Sequence, residues 1–285
     1  MTHLNEANSV DVVNARTGPD ADPRLAQIVA ALVRHLHALV REVEPTETEW
    51  SAAIDFLTRT GQISTETRQE FILLSDALGV SMLVDAINNR LPQGATETTV
   101  FGPFHVDDAP ERPMGALISL DGKGEVCLFH GRVLDLDGQP VEDARVDVWS
   151  DNADGFYDVQ QPDLQPAWNN RGVFRTGPDG RYAFRGIRPV SYPIPDDGPV
   201  GQMLTRLDRH PWRPAHTHFK IDAPGCRTLI THLFVAEDPF LDSDAVFGVK
   251  PSLIAGFRAA DRPDEVWPDT KWQVQFDFIL CRNPA

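Results

Sequence analysis

The hydrophobic period of this chain changes once. Between Pro23 and about Leu91 apolar residues return every three or four positions, and from Gly124 onward they return every second position. The first spacing lines one side of an α-helix; the second lines one face of a β-strand. The chain therefore reads as a helical segment followed by a sheet segment. Leu25, Ile28, Val29, Leu32, Leu36, Leu39 and Val40 share one helical face. Thr46 to Glu49 form a capping box ahead of a second helix through Trp50, Ile54 and Leu57. A third helix is expected from Ser64 to Leu78, stopped by Gly79, and a fourth from Val80 to Arg90. In the second half, Trp272, Val274, Phe276, Phe278 and Leu280 alternate with Gln273, Gln275 and Asp277, and Ala144, Val146 and Val148 alternate with Arg145 and Asp147. Asp137-Gly138, Asp179-Gly180 and Pro224-Gly225 mark turns between strands. The expected fold is mixed: a flexible N-terminus at 1–22, an α-helical domain at 23–92, a linker or ordered loop at 93–123, and an antiparallel β-sandwich at 124–285.

Charge and cysteine usage remove several classes of function. The 26 Lys and Arg stand against 42 Asp and Glu, a net charge of −16. Such a surface repels phosphate backbones and anionic membrane leaflets. No apolar run approaches the ~20 residues of a membrane-spanning helix, and the first 24 residues lack a basic region followed by an apolar stretch, so no signal peptide is expected. Cys127, Cys226 and Cys281 are odd in number and isolated, which argues against a disulfide framework or a thiolate zinc site and for a cytoplasmic protein with reduced thiols.

The chemistry-bearing pattern is Arg213-Pro214-Ala215-His216-Thr217-His218-Phe219. On a strand, His216 and His218 face one way while Thr217, Phe219 and Ile221 face the other. Two imidazoles on one strand face suit a metal chelate. From this spacing alone, a metal pair and two polar residues on an exposed face both remain open. His35-Leu36-His37 has the same spacing on a helix, where the two side chains diverge, and is read as surface. No H-E-x-x-H occurs, and Ala153 breaks the calcium-loop pattern in Asp151-Asn152-Ala153-Asp154-Gly155. Three tyrosines exist. Tyr182 alternates like an ordinary strand residue; Tyr157 follows a turn and Tyr192 lies among prolines. Phenolates suit a highly charged metal such as ferric iron, but a packed ring with a bonded hydroxyl is the alternative.

Taken together, these segments resemble the intradiol ring-cleaving dioxygenases. The stretches that carry the likeness are Val100-Phe101-Gly102-Pro103-Phe104, Asp147-Val148-Trp149 through Asp154-Gly155-Phe156-Tyr157-Asp158, Tyr192-Pro193-Ile194-Pro195-Asp196-Asp197-Gly198-Pro199, and Arg213 through His218. The likeness spans roughly residues 25 to 282. It implies one ferric iron per chain, held by Tyr157, Tyr192, His216 and His218, with Tyr192 the ligand displaced by substrate. It implies a catalytic Arg213 that stabilises the ketonised ring or the developing anion, and His232 close to the iron without binding it. His105, His130 and His210 receive no role, and Trp149, Trp267 and Trp272 are expected in the core. The helical N-terminal segment resembles that of the catechol-type enzymes, which implies a homodimer joined through the helical domain, often with a phospholipid at the interface.

Within the family the chain resembles the branch that cleaves hydroxyquinol (1,2,4-benzenetriol) to maleylacetate in aromatic catabolism. Leu73 and Asp76, the loop Val100, Phe101, Gly102, Pro103 and Phe104, and Ile194, Pro195 and Val246 carry that likeness, with Asp76 placed near the extra ring hydroxyl. Cleavage of catechol or chlorocatechol to cis,cis-muconates is the alternative; a non-catalytic sandwich binding module is the more distant one.

Overall fold

The computed structural model describes residues 3–65, 68–260 and 269–283. The chain forms two compact units, Met1–Arg59 and Thr60–Ala285.

The first unit is helical. Helix α1 (Ser9–Asn14) stands in the segment expected to be a flexible N-terminus. It is held because Arg41 Nη2 donates to Glu6 O at 2.9 Å and to Ser9 Oγ at 2.6 Å, while His37 Nδ1 meets Ser9 Oγ at 3.0 Å. Helix α2 (Pro23–Val43) starts where Asp22 accepts the Leu25 N–H at 2.6 Å, with Pro23 in the first turn. Helix α3 (Glu47–Ile63) opens on the expected capping box: Glu49 Oε2 accepts Thr46 N at 2.8 Å, and Thr46 Oγ1 accepts Glu49 N at 3.3 Å. The apolar stripe of α2 is formed, yet no residue of that helix is buried.

The second unit takes in the last turn of α3 and then α4 (Glu70–Ala77) and α5 (Val80–Asn88), parted by Gly79 at φ 72°. The third helix thus begins later than Ser64; Glu66 and Thr67 lie outside the described residues. Thr65 Oγ1 accepts the Arg68 N–H at 3.0 Å, a local bond that competes with helix. The strands are β1 (Val126–Asp135), β2 (Arg145–Trp149), β3 (Arg171–Arg175), β4 (Arg181–Ile187), β5 (Tyr192–Pro193), β6 (Trp212–Arg213), β7 (His216–Asp222), β8 (Leu229–Val235), β9 (Ile254–Ala255), β10 (Arg258–Ala259), β11 (Trp272–Gln275) and β12 (Phe278–Leu280). Helix α6 (Pro199–Arg206) lies between β5 and β6 in the chain.

One five-stranded sheet runs β10-β11-β1-β12, with β4 also on β1, and the other runs β3-β2-β7-β8-β9. Phe129, Phe184 and Phe278 from the first meet Val146, Phe219 and Leu233 from the second in one buried cluster. That is the expected sandwich, with a mixed ladder: β1 pairs antiparallel with β4 but parallel with β11 and β12. The alternating run from Trp272 to Leu280 is two strands rather than one. At the break, Asp277 Oδ1 accepts the Arg132 N–H at 2.8 Å in place of a ladder carbonyl. Gly131 passes so close that a Cβ there would lie 1.8 Å from Phe276 O. Trp149 is buried and Trp272 packs partly buried against the core, its ring beneath the Arg188 guanidinium; Trp267 lies outside the described residues. Tyr182 is a core residue whose hydroxyl donates to Phe276 O at 2.9 Å. Among the described residues, no helix is long and apolar enough to cross a membrane.

Candidate metal centre

Strand β7 sits between β2 and β8, and register sets its chemistry. Trp149 pairs with His218 and His218 with His232, so all three share one face of the sheet. The next row, Val148, Phe219 and Thr231, faces the core. His216 and His218 therefore point together, with Nε2 atoms 3.2 Å apart. The Trp149 ring stacks on His218 at 4.8 Å and 16°.

The two tyrosines arrive from irregular segments. Asn152 Oδ1 accepts the Asp154 and Phe156 N–H groups and so shapes the turn before Tyr157. Gly155, at φ 82°, leaves room beside Tyr192; a Cβ there would lie 3.1 Å from the Tyr192 Cβ. Behind Tyr157, buried Arg171 Nε donates to Asp158 Oδ1 at 2.6 Å. Tyr192 is placed by the two-residue ladder of β5 with β6, which sets it opposite Arg213.

Four donor atoms converge. Tyr157 Oη lies 2.9 Å from His218 Nε2 and 3.3 Å from Tyr192 Oη, and Tyr192 Oη lies 3.4 Å from His216 Nε2. These edges match the ~3.3 Å between ligands held about 2 Å from one tetrahedral ion. His216 Nδ1 lies 2.7 Å from Pro214 O; a carbonyl only accepts, so Nδ1 carries the proton and Nε2 offers its lone pair to the cluster. Burial and the nearby Arg213 charge push the His216 pKa down to about 3, and burial drives His218 and His232 well below the usual range, so the imidazoles are neutral. Burial raises the Tyr157 and Tyr192 phenols, so they ionise only against a strong cation. Neutral imidazoles with latent phenolates form a hard, anionic donor set that fits ferric iron.

The three imidazoles of His216, His218 and His232 place nitrogens within 4.8 Å of one another. His232 Nε2, however, meets His218 at Nδ1, 2.8 Å away, on the side of the ring opposite the converging atoms. It braces the His218 ring from behind rather than joining the four. Arg213 Nη1 lies 3.1 Å from His216 Nε2 and 3.4 Å from Tyr192 Oη.

A cavity of about 490 Å³ opens onto Tyr192 and Arg213. Leu73, Asp76, Val100, Gly102, Pro103, Phe104, Ile194, Pro195 and Val246 all line it. Phe101 does not: Gly102, at φ 77°, turns the chain, and the Phe101 ring packs on His105 and Trp149 instead. Gly102 also passes so near the cluster that a Cβ would lie 2.9 Å from His218 Cε1. Phe104 stacks on Tyr157 at 4.6 Å. Asp76 is buried; burial raises its carboxyl pKa, opposed by the Ser81 hydroxyl and the Arg213 charge.

Some lining residues carry no signal in the sequence. His105 has a wall position, with Nε2 at 3.1 Å from buried Asp147. Arg68, Gln69 and Glu70 line the cavity from the start of α4, and Val159 and Gln160 from the turn after Tyr157. The pairing of His105 with Asp147, forty-two positions later, and the acid two before Val246 become meaningful only with coordinates.

Residues 100–282 match the protein family described as Dioxygenase, and residues 22–96 match the one described as Catechol dioxygenase N terminus. A hydroxyquinol 1,2-dioxygenase of Rhizobium sp. (strain MTP-10005) is 58% identical over 97% of this chain and 96% of its own. A 6-chlorohydroxyquinol 1,2-dioxygenase of Cupriavidus pinatubonensis is 50% identical over the full length of both. Among solved structures, a hydroxyquinol 1,2-dioxygenase from Pseudomonas putida DLL-E4 superposes with a TM-score of 0.91 at 50% identity, covering 98% of this chain and 99% of that one.

Proposed function

The chain belongs to the intradiol ring-cleavage dioxygenases, an iron-dependent family, and from that premise we propose that it opens hydroxyquinol with O2 to give maleylacetate. The observation that carries the reading is the convergence of two phenols and two imidazoles at the end of a cavity whose wall holds the buried carboxyl of Asp76. One Fe(III) per chain would be held by Tyr157, Tyr192, His216 and His218. Bound there, ferric iron acts as a Lewis acid that favours the deprotonated diol and makes the ring reactive toward O2.

The protein's own groups do the rest. Tyr192 Oη, beside Arg213 Nη1, would accept one substrate proton. Arg213 Nη1, permanently charged and 3.4 Å from Tyr192 Oη, faces the negative charge that develops on the ring oxygen. His232 fixes the His218 ring through Nδ1. Leu73, Val100, Ile194, Pro195 and Val246 provide apolar wall that holds the ring and excludes water. Asp76 bonds the third hydroxyl; a site built around a substrate hydroxyl can discriminate by about 10⁴ in favourable cases.

Oxygen uptake by the iron-loaded protein, with hydroxyquinol and catechol side by side and a no-enzyme blank for autoxidation, tests this. A clear preference for hydroxyquinol is expected. A preference for catechol or chlorocatechol would keep the ring-cleaving chemistry and remove Asp76 as selector. A colourless protein without iron would favour the binding-module reading instead.

The same reading includes a homodimer through the bare stripe of α2, where Leu25, Ile28, Leu32 and Leu36 are 49–59% exposed. A phospholipid on that face is part of it. Light scattering at 31.7 kDa, the single-chain mass, would contradict the dimer, and organic extraction with mass spectrometry tests the lipid. Three free thiols support a cytoplasmic setting.

A further inference from the structure

Arg213 has two working sides. Nη1 faces His216 Nε2 and Tyr192 Oη. Nε and Nη2 face the other way, onto Asp244 Oδ1 at 3.1 Å and Asp244 Oδ2 at 3.3 Å. Arg213 is 4% exposed and Asp244 5%, so the fork is shut away from water. Asp244 is itself anchored. Its Oδ1 accepts the Val246 N–H at 3.3 Å and its Oδ2 accepts the Gly248 N–H at 2.8 Å. Val246 lines the cavity, so one carboxylate ties the catalytic guanidinium to a wall that touches substrate. Gly248 leaves no slack: a Cβ there would lie 3.0 Å from Arg213 Nη2 and 3.1 Å from Asp244 Oδ2.

A second carboxyl competes for the same cation. Asp76 lines the same cavity as Arg213 and lies within electrostatic reach of Arg213, Asp244 and the Ser81 hydroxyl. An Asp76 carboxylate paired with Arg213 would have its acceptor capacity spent on the protein. Asp244 holds the guanidinium through Nε and Nη2, and the Val246 and Gly248 N–H groups hold Asp244 in turn. Electrostatics agree: burial alone would raise Asp244, but Arg213 brings it below the usual carboxylate range, while burial leaves Asp76 raised.

We infer that Asp244 is a positioning residue with two effects: it aims Arg213 Nη1 at the reacting end of the site, and it keeps Arg213 off Asp76 so that Asp76 is left for the third hydroxyl of the substrate. The second effect rests on the reading of Asp76 as the selector of hydroxyquinol.

Asp244→Asn keeps a side-chain acceptor and removes the charge. Iron content, kcat and KM for hydroxyquinol and catechol, and anaerobic binding of both substrates to the iron-loaded protein are the readouts. Full iron content is expected, with kcat lower by about 10²-fold for both substrates because Nη1 is no longer aimed. The hydroxyquinol-over-catechol ratio in kcat/KM and in binding is expected to fall by about tenfold, as Arg213 turns to Asp76. Asp244→Glu, which keeps the charge, restores part of kcat and most of the ratio. In an Asp76→Asn background, Asp244→Asn still lowers kcat and leaves the ratio unchanged.

A variant with full iron, unchanged kcat and unchanged ratio overturns the inference, as does a ratio that still drops when Asp76 is already Asn. Asp76→Asn alone leaving the ratio untouched overturns the selector reading and with it the second effect; the kcat loss then decides the first effect by itself. Should Asp244→Asn not fold, Gly248→Ala presses on the same fork: a kcat loss at full iron supports the inference, and wild-type kcat contradicts it.

Discussion

His35-Leu36-His37 on α2 and His216-Thr217-His218 on β7 share one spacing and end in opposite places. On the helix, two residues are about 200° of rotation. His35 is exposed, and His37 turns to Ser9 Oγ. On the strand, two residues are one full period, so the imidazoles converge with Nε2 atoms 3.2 Å apart in the protein interior. The apolar residues around each pair diverge in the same way. Phe219 and Ile221 of β7 are fully buried, whereas the stripe of α2 lies open. A motif acquires chemical meaning only once the period of its element is known.

The sharpest way to break this comparison is to cut both pairs. His216→Ala with His218→Ala should abolish iron binding and oxygen uptake, read by metal analysis and an oxygen electrode. His35→Ala with His37→Ala should keep the full iron content; loss of iron there would sink the argument from period. The apolar faces come next. Phe219→Glu places an unpaired charge in the core and should leave no cooperative unfolding transition. Leu32→Glu with Leu36→Glu should leave that transition in place and move the light-scattering mass to 31.7 kDa.

Smaller effects test the supports. Asp158→Ala leaves buried Arg171 without its carboxylate partner and should cost about 3–5 kcal/mol in denaturant unfolding, whereas His37→Ala, which loses one part-buried bond, should cost only about 0.5–1.5 kcal/mol. The smallest is a pH effect. Asp151 is fully buried with Oδ2 unpartnered, and burial raises its carboxyl pKa well above the usual value. Its folded-state pKa exceeds the unfolded one, so folding takes up a proton, and the penalty grows as pH rises above about 4. In the metal-free chain Asp151→Asn should therefore raise Tm at pH 8 and give no gain near pH 4, by calorimetry. An equal gain at both pH values would contradict the sign.

Much of the fold was legible because one periodic rule acts over many residues. The switch of period placed helices before sheets, and the strand period aimed His216 and His218 together while Tyr182 went to the core. The tyrosines were not legible that way. Tyr157 follows a turn and Tyr192 sits on a two-residue strand, where no period acts, so only family resemblance singled them out. Phe101 went astray because a positive-φ glycine turns the chain at the next residue. The single strand expected from Trp272 to Leu280 failed because Asp277 substitutes its carboxylate for a ladder carbonyl. Helix α1 carries no signal in its own sequence because bonds from Arg41 and His37, about thirty residues on, hold it. Asp244 gave no signal, since its meaning depends on Arg213, thirty-one positions earlier in the chain.

The central claim is that Tyr157, Tyr192, His216 and His218 form one ferric site. Titration of the metal-free protein with ferric iron, followed by visible absorption, tests it most directly. The account predicts a tyrosinate-to-iron charge-transfer band that gives a wine-red solution, saturates at one equivalent per chain, and is lost in His216→Ala. Tight iron binding with no visible band, or a band that survives intact in Tyr157→Phe with Tyr192→Phe, would contradict it.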